Sequence, residues 1–278
     1  MISERNMKKN RTAVITGSSS GIGFETSLLL ARNGFHTYAT MRNLDKSSKI
    51  LHHANKSELP LHVIQLDVTD DKSVKEAIRK IVNEQDGIDV LVNNAGYGLV
   101  GPLEELSIEE FNEQFETNVF GAIRVIQQVL PIMRKQRCGT IVNVSSINGR
   151  IDFPLTCAYV SSKFALEGLS ESIAYELEQF GIKIMLIESG LIKTNFGNNL
   201  KIGKAVYDNP NSPYAEITRR RISGFKGRIE NGSSPIEVAK AILKAITLEN
   251  PPVLRYLVGD DAFKLMEEKI LLTNNFES

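Results

Sequence analysis

Short runs of consecutive apolar residues alternate along the chain with longer stretches in which apolar positions recur every three or four residues. Thr12–Thr16 and Phe35–Met41 are the first two runs. Leu61–Leu66, Val90–Asn93, Thr140–Val144, Lys183–Glu188 and Leu254–Val258 supply five more. Helical periodicity covers Ile22–Asn33, Asp71–Glu84, Ser107–Arg137, Tyr159–Phe180 and Pro235–Glu249. Gly34 is a natural stop for the first of these helices. Strands that are apolar nearly throughout, separated by helices, belong to a parallel sheet covered on both faces. The pattern predicts an α/β chain built on one doubly wound sheet of about seven parallel strands. No repeat or linker divides it, so residues 1–278 read as a single domain.

The alternation breaks between Asn195 and Ser234, where Gly197, Gly203, Pro210, Pro213, Gly224, Gly227 and Gly232 fall. The stretch is much longer than an ordinary connection. It reads either as a disordered excursion or as a lid over a substrate pocket. Its position after a strand end, where α/β sheets bind ligands, favours the lid. Arg219-Arg-Arg221 inside it reads as a solvated face or as an anion clamp.

Composition narrows the partners. The 278 residues carry 33 basic and 33 acidic side chains. That balance argues against nucleic acid or an anionic membrane as the main partner. No run approaches the ~18 apolar residues of a membrane span. Met1–Thr12 is polar and basic, unlike a signal peptide. Cys138 and Cys157 form no Cys-x-x-Cys pair, and the four histidines form no His-Glu-x-x-His pattern, so no metal site is expected. A soluble cytoplasmic protein is the expectation.

Thr16-Gly-Ser-Ser-Ser-Gly-Ile-Gly23 lies between the first strand and the first helix. Gly17 permits a tight turn, and Gly21 and Gly23 let the backbone approach a ligand closely. Free N–H groups at a helix start, together with the helix dipole, suit a pyrophosphate. A plain strand-to-helix turn capped by serines is the bland alternative. Tyr159 and Lys163 stand four residues apart on a helix and share one face. An ammonium beside a phenol favours the phenolate, which would make Tyr159 a general acid or base. The pair alone is common by chance; its place after the strand ending in Ser145-Ser146 gives it weight, since a serine hydroxyl and the phenol can then meet one substrate oxygen.

These features resemble the single-domain branch of the short-chain dehydrogenase/reductase family, the branch that holds hydroxysteroid and retinol dehydrogenases. The matches are Thr16-Gly-x-x-x-Gly-x-Gly23, Asp67-Val68, Asn93-Asn94-Ala95-Gly96, Asn118, Ser146 with Tyr159 thirteen positions on, and Lys163. The resemblance implies a Rossmann-type fold and a nicotinamide cofactor. It implies that Tyr159 is the acid/base, that Lys163 holds the nicotinamide ribose and lowers the tyrosine pKa, and that Ser146 binds the substrate oxygen. It makes Asn118 the holder of a relay water, against the alternative of a buried Asn bending its helix. It places the cofactor against Gly17, Ser18, Ser20, Gly21, Ile22 and Gly23, with Asp67 and Val68 at the adenine. Asn94, Ala95 and Gly96 line the adenine ribose side, with Asn93 tying strands together, and Ile192 and Thr194 meet the nicotinamide carboxamide. Ser189-Gly190 departs from the usual Pro-Gly, which leaves that loop freer.

The second predicted strand ends at Met41-Arg42, with no acid to bind ribose hydroxyls. Arg42, helped by Ser18, would hold a 2′-phosphate, so NADP(H) is expected over NAD(H), which remains usable; a solvated Arg42 is the alternative. The implied reaction interconverts a secondary alcohol and a carbonyl on a small molecule. Leu99, Val100, Phe196, Leu200, Ile202, Val206, Tyr207 and Phe225 suggest a lipophilic substrate, or serve as ordinary loop anchors. Relatives associate through the helices matching Ser107–Arg137 and Tyr159–Phe180, so a homodimer or homotetramer is expected. The competing readings are a non-catalytic dinucleotide sensor with the same fold, and a dehydratase or epimerase of the longer family branch. The glycine spacing and the lack of a second domain oppose the latter.

Overall fold

A computed structural model describes residues 11–208, 211–248 and 254–274. The stretch 1–10, the Tyr207 side chain and Glu249 lie outside the described residues. In chain order the elements are β1 (Thr12–Ile15), α1 (Gly21–Arg32), β2 (His36–Met41), α2 (Ser48–Lys56), β3 (Leu61–Gln65), α3 (Asp71–Gln85), β4 (Val90–Asn93) and β5 (Leu99–Val100). There follow α4 (Ile108–Phe115), α5 (Gly121–Gln136), β6 (Gly139–Val144), α6 (Cys157–Glu178), β7 (Ile182–Ser189) and β8 (Lys201–Ile202). The last are α7 (Lys204–Asp208), α8 (Ala215–Glu230), α9 (Pro235–Thr247), β9 (Arg255–Val258) and α10 (Asp260–Asn274).

Seven strands form one sheet in the order β3-β2-β1-β4-β6-β7-β9. Every neighbouring pair is parallel. The order reverses between β1 and β4, and that switch opens a crevice at the carboxyl ends of the strands. Strand alternation divides the core between two faces. Val14, Leu91, Ile141 and Ile184 pack with Val74 and Ile78 of α3, Val125 and Val129 of α5, and Leu177 of α6. Ala13, Ile15, Val92, Val142 and Ile187 pack on the other side with Leu30 of α1 and Val238 and Ile242 of α9. Period-two strands covered by helices on both faces are what the apolar runs predict.

Helix starts follow side-chain chemistry. Asp70 accepts from Lys72 N and Ser73 N at the start of α3. Ser107 and Glu110 form a capping box on α4. The helix expected over Ser107–Arg137 is interrupted by a π turn at Glu116–Phe120, which divides it into α4 and α5. No helix among the described residues is long and apolar enough to cross a membrane.

The described part of the stretch after β7 is joined to the rest of the fold by pairing. Ile192 bridges Ser233, and Lys193 N donates to Ser233 O at 2.8 Å, so the two ends of the stretch meet. Further along, β8 pairs with β5, with Leu99 opposite Lys201. The 16-residue helix α8 fills much of the remainder. Its mostly charged face and its glycines, Gly224 and Gly227, hide it from a search for apolar periodicity.

Candidate active site

The glycine turn depends on having no Cβ at two points. Gly17 has φ +70°, and a Cβ there would lie 2.8 Å from Ala95 Cα. A Cβ on Gly23 would lie 2.5 Å from both Gly17 O and Asn94 Nδ2. The close approach is fastened by Asn94, whose side chain donates to Thr16 O at 2.9 Å and Gly17 O at 3.1 Å. Thr16 Oγ1 accepts from the backbone N–H groups of Asn94 and Ala95. One polar knot therefore joins the ends of β1 and β4. Ser20, the N-cap of α1, makes no side-chain cap bond, and the first turn of α1 holds no acid. The leading N–H groups of that helix are left for an outside anion.

Ser18 corrects one expectation. Its side chain is fully buried, donating to Ile15 O at 3.0 Å and accepting from Ser27 Oγ at 3.1 Å. A hydroxyl spent on the interior cannot help Arg42 with a phosphate. Arg42 itself is exposed at the end of β2, its carbonyl accepting from Gln65 Nε2 at 3.0 Å. Asp67 Oδ1 is engaged by Thr69 N and Thr69 Oγ1 at 3.0 and 2.8 Å. Val68 is buried, and its carbonyl accepts from Arg124 Nη1 at 2.6 Å. Thr194 faces the glycine turn: its Cβ lies 3.2 Å from where a Gly21 Cβ would stand. Ile192 is buried beside it in the bridge to Ser233.

Ser146 follows β6, and its hydroxyl donates to Ser189 O at 3.3 Å. Tyr159 and Lys163 lie one turn apart on α6, with Lys163 Nζ 5.8 Å from the Tyr159 ring centroid. Burial pushes the Tyr159 hydroxyl up to about 12, while the Ser146 hydroxyl beside it pulls the other way. The Lys163 ammonium is itself buried and pushed down to about 8, with Glu167 opposing the fall. It donates to Val144 O at 2.9 Å. Burial therefore opposes ionisation of Tyr159, and the Ser146 hydroxyl favours it.

Asn118 sits in the π turn. Its Oδ1 accepts from Tyr97 N at 3.1 Å, and its Nδ2 donates to Tyr97 O at 3.0 Å and Ser162 Oγ at 3.2 Å. The side chain thus pins the loop after Gly96 to α6, and a Cβ on Gly96 would lie 3.0 Å from Asn118 Oδ1. A cavity of about 10 Å³ lies between Asn118, Asn93, Thr16, Val144 and Lys163. That is room for one water with polar partners on several sides. Asn93 does tie strands together: its Nδ2 donates to Asn143 Oδ1 at 2.9 Å, and Asn143 donates to Ser170 of α6 at 2.8 Å.

The chain matches the model of the short chain dehydrogenase family over residues 11–204. It belongs to that family. It is 40% identical over 253 residues to retinol dehydrogenase 8 of Bos taurus, covering 88% of this chain and 80% of the relative. A solved short-chain dehydrogenase from Streptomyces avermitilis superposes with a TM-score of 0.83 at 31% identity, covering 95% of each chain. ElxO with NADP bound superposes with a TM-score of 0.73 at 32% identity, covering 89% of this chain and 96% of that one. The protein is an oxidoreductase of this family, on a Rossmann-type sheet.

One site-supporting residue escapes sequence reasoning. Asp261, at the start of α10, accepts from Leu191 N at 2.7 Å and would lie 2.2 Å from a Cβ on Gly190. It thereby pins the Ser189-Gly190 turn expected to be loose, and Ser189 pairs in register with Val258. Phe196 stands with its ring centroid 5.8 Å from that of Tyr159. Leu99 belongs to a small core with Leu106 and Ala158 and is an anchor rather than an open wall. In the arginine run, Arg220 pairs with Glu216, whereas Arg221 lies 5.3 Å over the Phe153 ring.

Proposed function

We propose that this short-chain dehydrogenase interconverts a secondary alcohol and a carbonyl on a lipophilic small molecule, using NADP(H) in preference to NAD(H). The observation that carries the reading is the meeting of Ser146, Tyr159 and Lys163 at the carboxyl end of β6. The residues fit a dinucleotide. Gly17 and Gly23, lacking a Cβ, let the turn fold tightly against Asn94 and Ala95, and the uncapped start of α1 suits a pyrophosphate. Ser20, Gly21 and Ile22 would hold that group, Asp67 and Val68 the adenine, Ala95 and Gly96 its ribose, and Ile192 and Thr194 the carboxamide. When bound, the nicotinamide supplies or accepts the hydride.

The chain's own groups handle the proton. Ser146 donates a hydrogen bond to the substrate oxygen and fixes it beside Tyr159. In the reductive direction Tyr159 gives its proton to that oxygen, and in the oxidative direction it takes one. Lys163 holds the ribose hydroxyls and, through the water site beside Asn118, reprotonates the phenol. Phe196 forms the apolar lid over Tyr159, and the stretch 195–234 closes around the substrate, with α8 resting on Phe153 through Arg221. The activity named for retinol dehydrogenase 8 supports a lipophilic substrate, and the NADP of ElxO supports the cofactor. Exposed Phe120, Phe164 and Tyr175 on the long helices support self-association.

The experiment is a panel of apolar ketones, aldehydes and secondary alcohols incubated with the protein and each nicotinamide cofactor, read by the absorbance of the reduced ring. Turnover with Tyr159 intact, and a loss of ~10²–10⁴-fold in Tyr159→Phe, is expected. Tight cofactor binding without turnover on any panel member identifies a dinucleotide sensor instead.

A further inference from the structure

Two buried carboxylates, paired with two partly exposed arginines, lie behind Lys163. Glu167 is one turn further along α6 and is 4% exposed, and Glu188 in β7 is 1% exposed. Arg255, at the start of β9, reaches between them: its Nε lies 3.0 Å from Glu167 Oε2 and 3.0 Å from Glu188 Oε1. Its Nη2 also pairs with Glu171 of α6. Arg150 closes the group from the loop after β6, with Nη1 3.2 Å from Glu188 Oε1. Ser145 borders it on the β6 side. Gly149 roofs it so closely that a Cβ there would lie 2.8 Å from Glu167 Cγ and 2.9 Å from Ser145 Oγ.

Three members of this group, Glu167, Ser145 and Glu188, adjoin the site. Glu167 shares a helix face with Lys163. Ser145 precedes Ser146, and Glu188 precedes Ser189, whose carbonyl accepts the Ser146 hydroxyl. A buried ammonium is tenable only with a counter-charge nearby. Lys163 donates to the Val144 carbonyl, which is neutral, and Glu167 is the acid that raises its affinity for the proton.

We propose that Glu167, held by Arg255 between α6 and β7, is a positioning residue that serves as the internal counter-charge of Lys163 and fastens the strand ends bearing Ser146. The effect on turnover rests on the catalytic reading above; the effect on Lys163 does not. Burial and Glu188 push the Glu167 carboxyl up to about 7, while Ser145 and Arg255 pull it down. Glu167 Oε1 and the Ser145 hydroxyl are both buried without a hydrogen-bond partner, and the serine beside the carboxylate favours its ionised form. The groups facing Glu167 are therefore Lys163 and Glu171 on its own helix, Ser145, Glu188 and Arg255 on the sheet, and Arg150 behind Glu188. Where Glu167 is ionised, Lys163 keeps its proton to higher pH. Where Glu167 is neutral, Lys163 loses it sooner.

The test follows the lysine directly. The full chain is labelled with isotopic lysine, and the Lys163 signal, assigned by its loss in Lys163→Arg, is titrated by NMR. Glu167→Gln should lower its midpoint by about one pH unit, a ~10-fold change in its protonation ratio, and Glu167→Asp should restore at least half of that. Ser145→Ala, a milder change, should shift the midpoint the same way by about threefold, and decides the matter if Glu167→Gln does not fold. In turnover, the alkaline limb of kcat/KM should move to lower pH with the Lys163 midpoint in Glu167→Gln. An unmoved Lys163 midpoint overturns the proposal, even if stability falls. A wild type that binds cofactor but turns over no substrate overturns the catalytic reading, and the lysine titration still decides this one.

Discussion

Replacing Tyr159 by Phe removes one oxygen and leaves the ring against Phe196, 5.8 Å between centroids. Burial holds the hydroxyl well above its ordinary value, so the phenol carries its proton at pH 7. Tyr159 is therefore a proton donor at rest, ready for carbonyl reduction, and must first be ionised to serve alcohol oxidation. Reduction should accordingly run well at neutral pH, and oxidation should climb as pH rises. Removing a positioned acid typically costs ~10²–10⁴-fold, or roughly 3–5 kcal/mol of barrier. The hydroxyl is not needed to hold the fold, so cofactor affinity should stay within about threefold of wild type. The assay is kcat in the reductive direction at saturating substrate, with cofactor affinity measured separately by quenching of the reduced nicotinamide's fluorescence. A variant that keeps more than half of the wild-type kcat would refute the assignment of Tyr159.

Gly23→Ala places a Cβ 2.5 Å from Gly17 O and Asn94 Nδ2, so it should weaken cofactor binding at least ~10-fold even though alanine is the better helix former; unchanged affinity in a titration would remove the glycine turn from the site. Arg42 should give NADP(H) an advantage of about 10- to 100-fold in kcat/KM over NAD(H), and Met41→Asp with Arg42→Ala should reverse it; equal values in the wild type count against Arg42. Cofactor should slow amide hydrogen exchange in the described part of 195–234, above all in β8 and α8; the same exchange at saturation would make the stretch a passive surface feature.

What the sequence made legible follows from how local each signal is. The central strands announce themselves because they are buried on both faces, and Gly17, Gly23, Tyr159 and Lys163 announce themselves because their spacing falls within one turn or one helix. The π turn at Glu116–Phe120 leaves no such mark, since Asn118 acts on Tyr97 and Ser162, far along the chain. Ser18 misleads for the opposite reason: its place in a phosphate-binding motif says nothing of Ser27, nine positions away, which claims its hydroxyl. α8 and α10 are missed because their exposed, charged surfaces give weak periodicity. Glu167 was within reach, since the four-residue spacing that links Tyr159 to Lys163 links Lys163 to Glu167. Its meaning was not, because Arg255 and Glu188 reach it only through the order β6-β7-β9.

The charges behind Lys163 also bear on why the C-terminal edge of the sheet is built as it is. Buried ion pairs are weak sources of stability, and well-packed apolar side chains of similar volume often do as well or better. Neighbouring positions on the same strands are occupied by Ile184, Met185, Leu186 and Ile187, all buried, so apolar packing is available there. Glu188 and Glu167 nonetheless stand where the chain turns from packing to chemistry, one residue before Ser189 and one turn after Lys163. Arg255 joins them from the last strand of the sheet and can do so only once β9 has paired with β7. Docking of β9 therefore brings Arg255 to Glu167 and Glu188 as well as closing the sheet. If burial were the whole purpose, Glu167→Leu with Arg255→Leu should keep both the fold and the protonation of Lys163; if the pair is a counter-charge, the same double change should keep the fold while lowering the pH at which Lys163 gives up its proton.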